Sequence, residues 1–443
     1  MIIENLLLVC SILILFIAYK LDKNNFIFTP IKLFTFVSLL YLILPGFYLI
    51  NIKPESIFWS LNKNFILLEN ISILIFITIF VFIFKTIEII KIPTYRKNFN
   101  SNIILVSIFL LILSVYAKIY MYQSGAFFLE DKYNDAINNI PRLITFLNNL
   151  HLWGFMLLFI YYFRITKGKV FKNKFYTYKY LAFIYLIITI MVPMLQGRRF
   201  GVIFPILMLL GLYSFYNKMQ LFKLSKYAIL ILIVFILITM LRLTQSVMLS
   251  KGMDSGDILG VFTAFDTSIL SILFDGIIGR LGNVYIVLNR IIEYKVTHGL
   301  EPVFNSFSLA FQGLIPAFIW PDKPDLSIGN ILGKELNLIN VENVLTGINA
   351  GWIGEGYYNN NILGVVLASS LYAVTIGIMY KIIDKNYDTG KLIFLMYFIF
   401  LFSGYQMELA MTFNNFLKGS IIQILIVITV TSIPAIKLKK VKK

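Results

Sequence analysis

Long apolar runs bounded by charged turns constrain this chain more than any other feature. Runs near membrane-spanning length occur at about Leu6 to Tyr19, Ile31 to Ile50, Phe65 to Phe84, Ile103 to Tyr122, Leu143 to Phe163, Tyr178 to Met194, Phe200 to Phe215 and Tyr227 to Leu241. Three more follow a long polar segment, at Ile362 to Ile382, Leu392 to Met407 and Phe416 to Ile433. About 20 apolar residues in a helix cross the hydrocarbon core, where every backbone polar group must find its partner within the protein. Apolar residues make up 59% of the chain and mean hydropathy is +0.82, far from the balance of a soluble domain. The expected fold is an all-α polytopic membrane protein of about eleven transmembrane helices with one long outer loop. The first run lacks a basic n-region and a small-residue cleavage site, so it reads as a retained helix rather than a signal peptide.

The connections between runs alternate in charge. One set carries Lys20, Lys23 and Lys32, then Lys85 to Lys97, Arg164 to Lys179, Lys218 to Lys226, Lys381 to Lys391 and Lys437 to Lys443. The other set is poor in Lys and Arg, with Lys53, Lys63, Lys132, Arg142, Arg198 and Arg199. Basic connections stay cytoplasmic, which puts the N-terminus and the long segment outside and the C-terminus inside. The net charge of +17 is thereby explained by topology, with no nucleic acid implied. Three regions follow: an N-terminal bundle at 1–241, an extracytoplasmic segment at 242–361, and a C-terminal bundle with a basic cytoplasmic tail at 362–443.

The long segment concentrates the polar chemistry, with half of the chain's 22 acids and a mixture of Gly, Pro and aromatic residues. A connection of this length is rarely passive. Residues 258–296 carry a helical pattern around Asp266, Asp275, Arg280 and Arg290, and Phe304 to Trp320 reads as a re-entrant or interfacial stretch closed by Pro321. Arg280 and Arg290 read either as anion-binding cations or as ion-pair partners of Asp266, Asp275 or Glu293. The turn at Ile315 to Pro324 presents Lys323, by the same token either a supporting cation or a plain surface residue. Earlier in the chain, Arg198 and Arg199 sit on an outer turn, where guanidiniums either grip a diphosphate through paired hydrogen bonds or anchor the helix by snorkelling. In Gly354-Glu355-Gly356-Tyr357-Tyr358 a carboxylate precedes a span, where it reads as a base or as a charge favoured by the helix dipole.

Several chemistries are excluded by the inventory. The single cysteine, Cys10, allows no intrachain disulfide, no redox pair and no cysteine zinc site. His151 and His298 lack metal-ligand spacing, and there is no Walker loop, Rossmann glycine pattern or His-Glu-x-x-His. Glu130, Asp131 and Asp135 match a metal site only loosely, so neither metal nor cofactor is expected.

The span layout, the Gly197-Arg198-Arg199 turn, the Ile-Pro and Trp-Pro-Asp-Lys-Pro elements at Ile315 to Pro324, and the Gly354 to Asn359 run closed by Gly364 together resemble the O-antigen polymerase family. These are the oligosaccharide repeat-unit polymerases of bacterial surface polysaccharide assembly. Lys418-Gly419 stands where similar proteins are expected to carry Arg-Gly. The resemblance implies a membrane-embedded glycosyltransferase of the C type (GT-C-like) in the bacterial cytoplasmic (inner) membrane. It would join undecaprenyl-diphosphate-linked oligosaccharides, in membrane lipid, beside a chain-length regulator and flippase of the same pathway. It also implies roles: Arg198, Arg199 and Arg280 on the diphosphate, Arg290 and Lys323 in support, and Glu355 as base. Trp320, Trp352, Tyr357 and Tyr358 would offer faces to sugar rings. An O-antigen ligase shares this layout, and a lipid-linked oligosaccharide flippase or transporter is the reading from a different class.

Overall fold

Seven helices among the described residues are long and apolar enough to cross a membrane, as expected of a polytopic membrane protein. The computed structural model describes residues 2–22, 24, 26, 28–52, 55–56, 59–93, 96–100, 102–125, 140–166, 176–191, 199–216, 277, 279, 281–299, 301–302, 305–313, 315, 320, 328–339, 348–383 and 385–432. The seven candidate spans are Ile2–Leu21, Pro30–Asn51, Lys63–Ile89, Ile103–Gln123, Leu143–Thr166, Gly351–Ile382 and Leu409–Ser432. Two shorter apolar helices, Tyr180–Ile190 and Phe204–Tyr216, lie on the runs at Tyr178 and Phe200. The run Leu392 to Met407 lies on a helix of residues Asp388–Gln406, and the run Tyr227 to Leu241 lies outside the described residues.

The helices, in chain order, are α1 (Ile2–Leu21), α2 (Pro30–Ser38), α3 (Leu44–Asn51), α4 (Ile66–Ile89), α5 (Ile103–Gln123), α6 (Arg142–Asn148), α7 (Leu150–Thr166), α8 (Tyr176–Leu186), α9 (Arg199–Tyr216), α10 (Asn283–His298), α11 (Ser306–Gln312), α12 (Gly329–Glu335), α13 (Gly351–Ile382), α14 (Asp388–Gln406) and α15 (Leu409–Ser432). A two-residue ladder pairs β1 (Glu55–Ser56) with β2 (Trp59–Ser60). Local sequence explains several boundaries. Thr29 caps α2, with Pro30 in the first turn where its missing N–H costs nothing. Between α2 and α3 the helix widens into a π-turn at Leu39–Ile43, just ahead of Pro45, which cannot donate to the ladder.

The chain divides into two compact units. The first takes Met1–Pro93, Asp266–Ile382 and Met396–Ile421. Here α13 runs along α4, with Ser369 Oγ donating to the Phe76 carbonyl at 2.6 Å. The core of this unit is aromatic: Tyr372 lies within 6.4 Å, centroid to centroid, of Phe34, Phe76, Phe80, Trp352, Phe400 and Tyr405, and is itself fully buried. The Lys-bearing ends of this unit meet one another. Asn24, beyond α1, donates to Tyr380 Oη on α13 at 2.8 Å, and Lys381 Nζ donates to the Glu88 carbonyl at the end of α4.

The second unit takes Thr94–Phe265, Ile383–Leu395 and Ile422–Lys443. Within it α5 packs on α7, where Ser107 Oγ donates to the Gly154 carbonyl at 2.9 Å. Asp388 is fully buried at the start of α14, paired with Arg164 and accepting from Phe99 N at 3.0 Å. Lys391 stands 3.6 Å from the same carboxylate and 4.4 Å from the Tyr216 ring centroid.

Element α13 is not one straight helix. Asn360 (φ −141°, ψ 35°) and Asn361 (φ 51°, ψ −138°) break it, and beyond them the chain doubles back. A Cβ built on Gly364 would lie 1.8 Å from the Gly356 carbonyl oxygen, and one on Gly356 would lie 3.0 Å from Ala368 Cβ. In a continuous helix residues eight apart are separated by about 12 Å along the axis. Residues 351–359 therefore form a re-entrant half-helix folded onto the start of the span, and only glycine permits backbones this close. Gly364→Ala should consequently destabilise the purified protein by about 3 kcal/mol, at the upper end of overpacking costs. Thermal unfolding in detergent measures this, with Ala368→Gly, which removes only a methyl, as the milder comparison.

Candidate functional site

The end of the first unit opposite its lysine-rich connections holds a dense set of polar contacts around the half-helix. Helix α10 lies against the start of α4 through α10's polar residues. Asn289 donates to Glu69 Oε2 at 2.8 Å and accepts from Asn62 N at 2.9 Å. Asn62 Nδ2 continues to Glu293 Oε1 at 2.8 Å, and Glu293 Oε2 pairs with Arg290 at 2.7 Å. Arg290 also donates to Ser60. One turn earlier, Tyr285 Oη donates to Asn70 Oδ1 at 2.9 Å. Glu69 is fully buried, and its second oxygen has no partner among the described residues.

Short helices are docked by side chains that accept from their first N–H groups. Ser306 N at the start of α11 donates to Asn359 Oδ1 at 3.0 Å, and Asn359 Nδ2 returns to Ser306 Oγ at 3.1 Å. Both oxygens of the buried Glu408 serve α12, accepting from Ile328 N at 3.0 Å and Gly329 N at 2.7 Å. Glu355 Oε1 accepts from Leu409 N, the first residue of α15, at 3.0 Å. Such N-terminal carboxylates satisfy orphan donors and gain from the helix dipole.

At the broken end of the half-helix Lys295 Nζ donates to the Tyr358 carbonyl. The ammonium also lies 5.8 Å from the Tyr358 ring centroid. Tyr358 Oη in turn donates to Glu335 Oε2 at 3.0 Å. Burial depresses the Lys295 ammonium, partly offset by Glu301, and burial raises the Glu335 carboxyl above the ordinary carboxylate range, partly offset by the Tyr358 hydroxyl. Glu335 remains half-exposed at the end of α12.

The sequence candidates distribute as follows. Glu355, Tyr357, Tyr358 and Trp352 share the half-helix, and all four are buried. Trp352 packs on Tyr372 and Phe400, at 5.1 Å and 5.4 Å between centroids, so its ring belongs to the aromatic core. Arg290 is in the same unit, already paired with Glu293. Trp320 is half-buried and has no described contact with the others. Arg199 opens α9 in the second unit, while Arg198, Arg280 and Lys323 lie outside the described residues, as do Glu130, Asp131 and Asp135. Lys295, Glu335, Asn289 and Asn359 were not singled out from sequence. Their partners stand 23 to 227 positions away, except for Glu355, whose carbonyl takes Asn359 Nδ2 four positions on, so spacing offered almost no signal. Among the described residues no group of three or more His, Cys, Asp or Glu is arranged to hold a metal. No family model, no characterised protein and no solved structure matches this chain.

Glu408 gives a direct test of the docking. Glu408→Ala leaves two buried N–H groups without acceptors and should cost about 3 kcal/mol. Glu408→Gln keeps one acceptor and should lose about half of that, read as the order of Tm values, wild type above Gln above Ala.

Proposed function

We infer that the protein is a membrane-embedded glycosyltransferase that joins undecaprenyl-diphosphate-linked oligosaccharide repeat units on the outer face of the cytoplasmic membrane. The reading includes about eleven spans in a C-type arrangement, the N-terminus outside and the C-terminus inside. One observation carries it. The Gly354 to Gly364 element, one of the resembling motifs, forms a half-helix folded back on the start of the span and held by charged and amide side chains at the unit end away from the Lys-bearing ends. Non-helical backbone at membrane depth is tolerated only where protein or a water-filled cavity surrounds it, and it marks substrate sites in membrane proteins, transporters among them. The dense aromatic core around Tyr372 speaks against a conduit through this unit, as a transporter would need.

The chemistry required is modest. A lipid diphosphate is a good leaving group, so fixed cations stabilise its developing charge, and a carboxylate takes the acceptor hydroxyl's proton. Arg198, Arg199, Arg280, Arg290 and Lys323 remain the proposed cations.

Reporter fusions check the orientation: those at Lys172 and Lys385 should report cytoplasm and one at Asn330 the outside, and an outside signal at Lys172 would overturn it. Activity is checked with purified protein in liposomes, supplied with lipid-linked repeat units extracted from cells lacking it. A ladder of lengths on the lipid carrier is expected. Transfer of finished polymer to another acceptor would identify a ligase, and movement of the substrate across the bilayer without bond formation a transporter. Arg199→Lys should lower polymerisation by roughly a hundred- to a thousandfold at unchanged abundance, because a point charge replaces a bidentate donor.

A further inference from the structure

We propose that Glu335 is the general base of this transfer, held in place by Tyr358 of the re-entrant half-helix. The assignment rests on the glycosyltransferase reading and adds a residue that no motif in the sequence marks.

Access and orientation separate Glu69, Glu293, Glu301, Glu335, Glu355 and Glu408 of the first unit. Glu408 is buried with both oxygens on the N–H groups of Ile328 and Gly329, and Glu355 is fully buried with Oε1 on Leu409 N and Oε2 without a partner among the described residues. Glu69 is fully buried against Asn289. Glu293 has one oxygen on Asn62 and the other on Arg290. Glu301 is exposed, its charge acts on Lys295, and it has no side-chain hydrogen bond among the described residues. Glu69 Oε1 and Glu355 Oε2 also lack a partner among the described residues but are buried, whereas Glu335 pairs a fixed oxygen with an accessible one: Oε2 accepts from Tyr358 Oη, while Oε1 is neither buried nor hydrogen-bonded among the described residues.

Its support is rigid on both sides. Glu408 fixes the start of α12, and the Gly329 carbonyl accepts from Ile348 N at 3.0 Å. Lys295 fixes the Tyr358 backbone, so that one residue receives an ammonium on its carbonyl and presents its hydroxyl to Glu335. A base must be within reach of the proton it removes and have an affinity for it near the working pH. Partial burial, and a place at the negative end of α12, both strengthen the proton affinity of this carboxylate.

In the step, the acceptor hydroxyl gives its proton to Glu335 Oε1 while its oxygen bonds to the anomeric carbon of the donor. The bond from that carbon to the diphosphate oxygen breaks, and its electron pair leaves with the lipid diphosphate. The proton then passes from Glu335 to solvent, which restores the carboxylate.

The test measures steady-state polymerisation in liposomes with extracted lipid-linked repeat units. Glu335→Gln keeps an acceptor for Tyr358 Oη but cannot take a proton, so kcat should fall at least about a hundredfold with KM within about threefold. Glu335→Asp, with a retracted carboxylate, should recover part of the loss, which a purely structural role would not give. A Glu335→Gln protein with more than a fifth of wild-type kcat would overturn the assignment, as would full turnover in Glu335→Gln together with its loss in Glu355→Gln. If wild-type protein forms no glycosidic bond at all, the glycosyltransferase reading fails first and this assignment with it; if wild type polymerises and Glu335→Gln does too, only the assignment falls.

Discussion

Backbone groups freed wherever a helix breaks inside an apolar bundle must be satisfied by the protein itself, and this requirement organises the first unit. At four of these breaks a partner is a side chain brought from another element. Glu355 serves the start of α15, Glu408 the start of α12, Asn359 the start of α11, and Lys295 the carbonyl at the end of the half-helix. Asn289 does the same for the irregular stretch before α4, meeting both the N–H and the carbonyl of Asn62. Most of the buried charge and amide at this end of the unit is spent in this way. Each such bond is worth about 1 kcal/mol net, yet leaving a buried group unpaired costs up to about 3 kcal/mol, so the pieces are held more by what their separation would expose than by attraction.

This changes what the polar residues of the unit mean. A carboxylate inside a membrane bundle is a functional hypothesis by default, but here Glu408 has a sufficient structural occupation, and Glu355 has one for Oε1. Glu69 Oε1 and Glu355 Oε2 remain unpartnered but buried among the described residues, whereas Glu335 at the rim, where the half-helix ends and α12 and α10 meet it, has an accessible oxygen. Support and chemistry are thus divided between buried and half-exposed members of one network, with Tyr358 belonging to both.

The helical, membrane-spanning character was legible because hydropathy integrates over some twenty residues, and local accidents average out. In the first unit the Lys-bearing ends of α4 and α13 meet, where Lys381 donates to the Glu88 carbonyl. The half-helix was only partly legible. Gly354, Gly356 and Gly364 announced a special backbone, but no hydropathy window reports that Asn360 and Asn361 reverse the chain. The resemblance implied Tyr357, Tyr358 and Trp352 as faces for sugar rings; all three are buried, and Trp352 packs into the aromatic core around Tyr372. Lys295 and Glu335 were invisible for a plainer reason, since each is one ordinary charge among many until Tyr358, far along the chain, gives it a place.

The half-helix also bears on how the protein is made. Nine residues of helix extend only about 13 Å, too short to enter a bilayer as an independent segment. Its Glu355 oxygen is satisfied by Leu409, 54 positions later, so that donor does not yet exist when residues 351–359 leave the ribosome. The bond from Leu409 N to Glu355 therefore forms only after α14 and the start of α15 have been made, so the half-helix gains this partner from the last part of the unit to be synthesised.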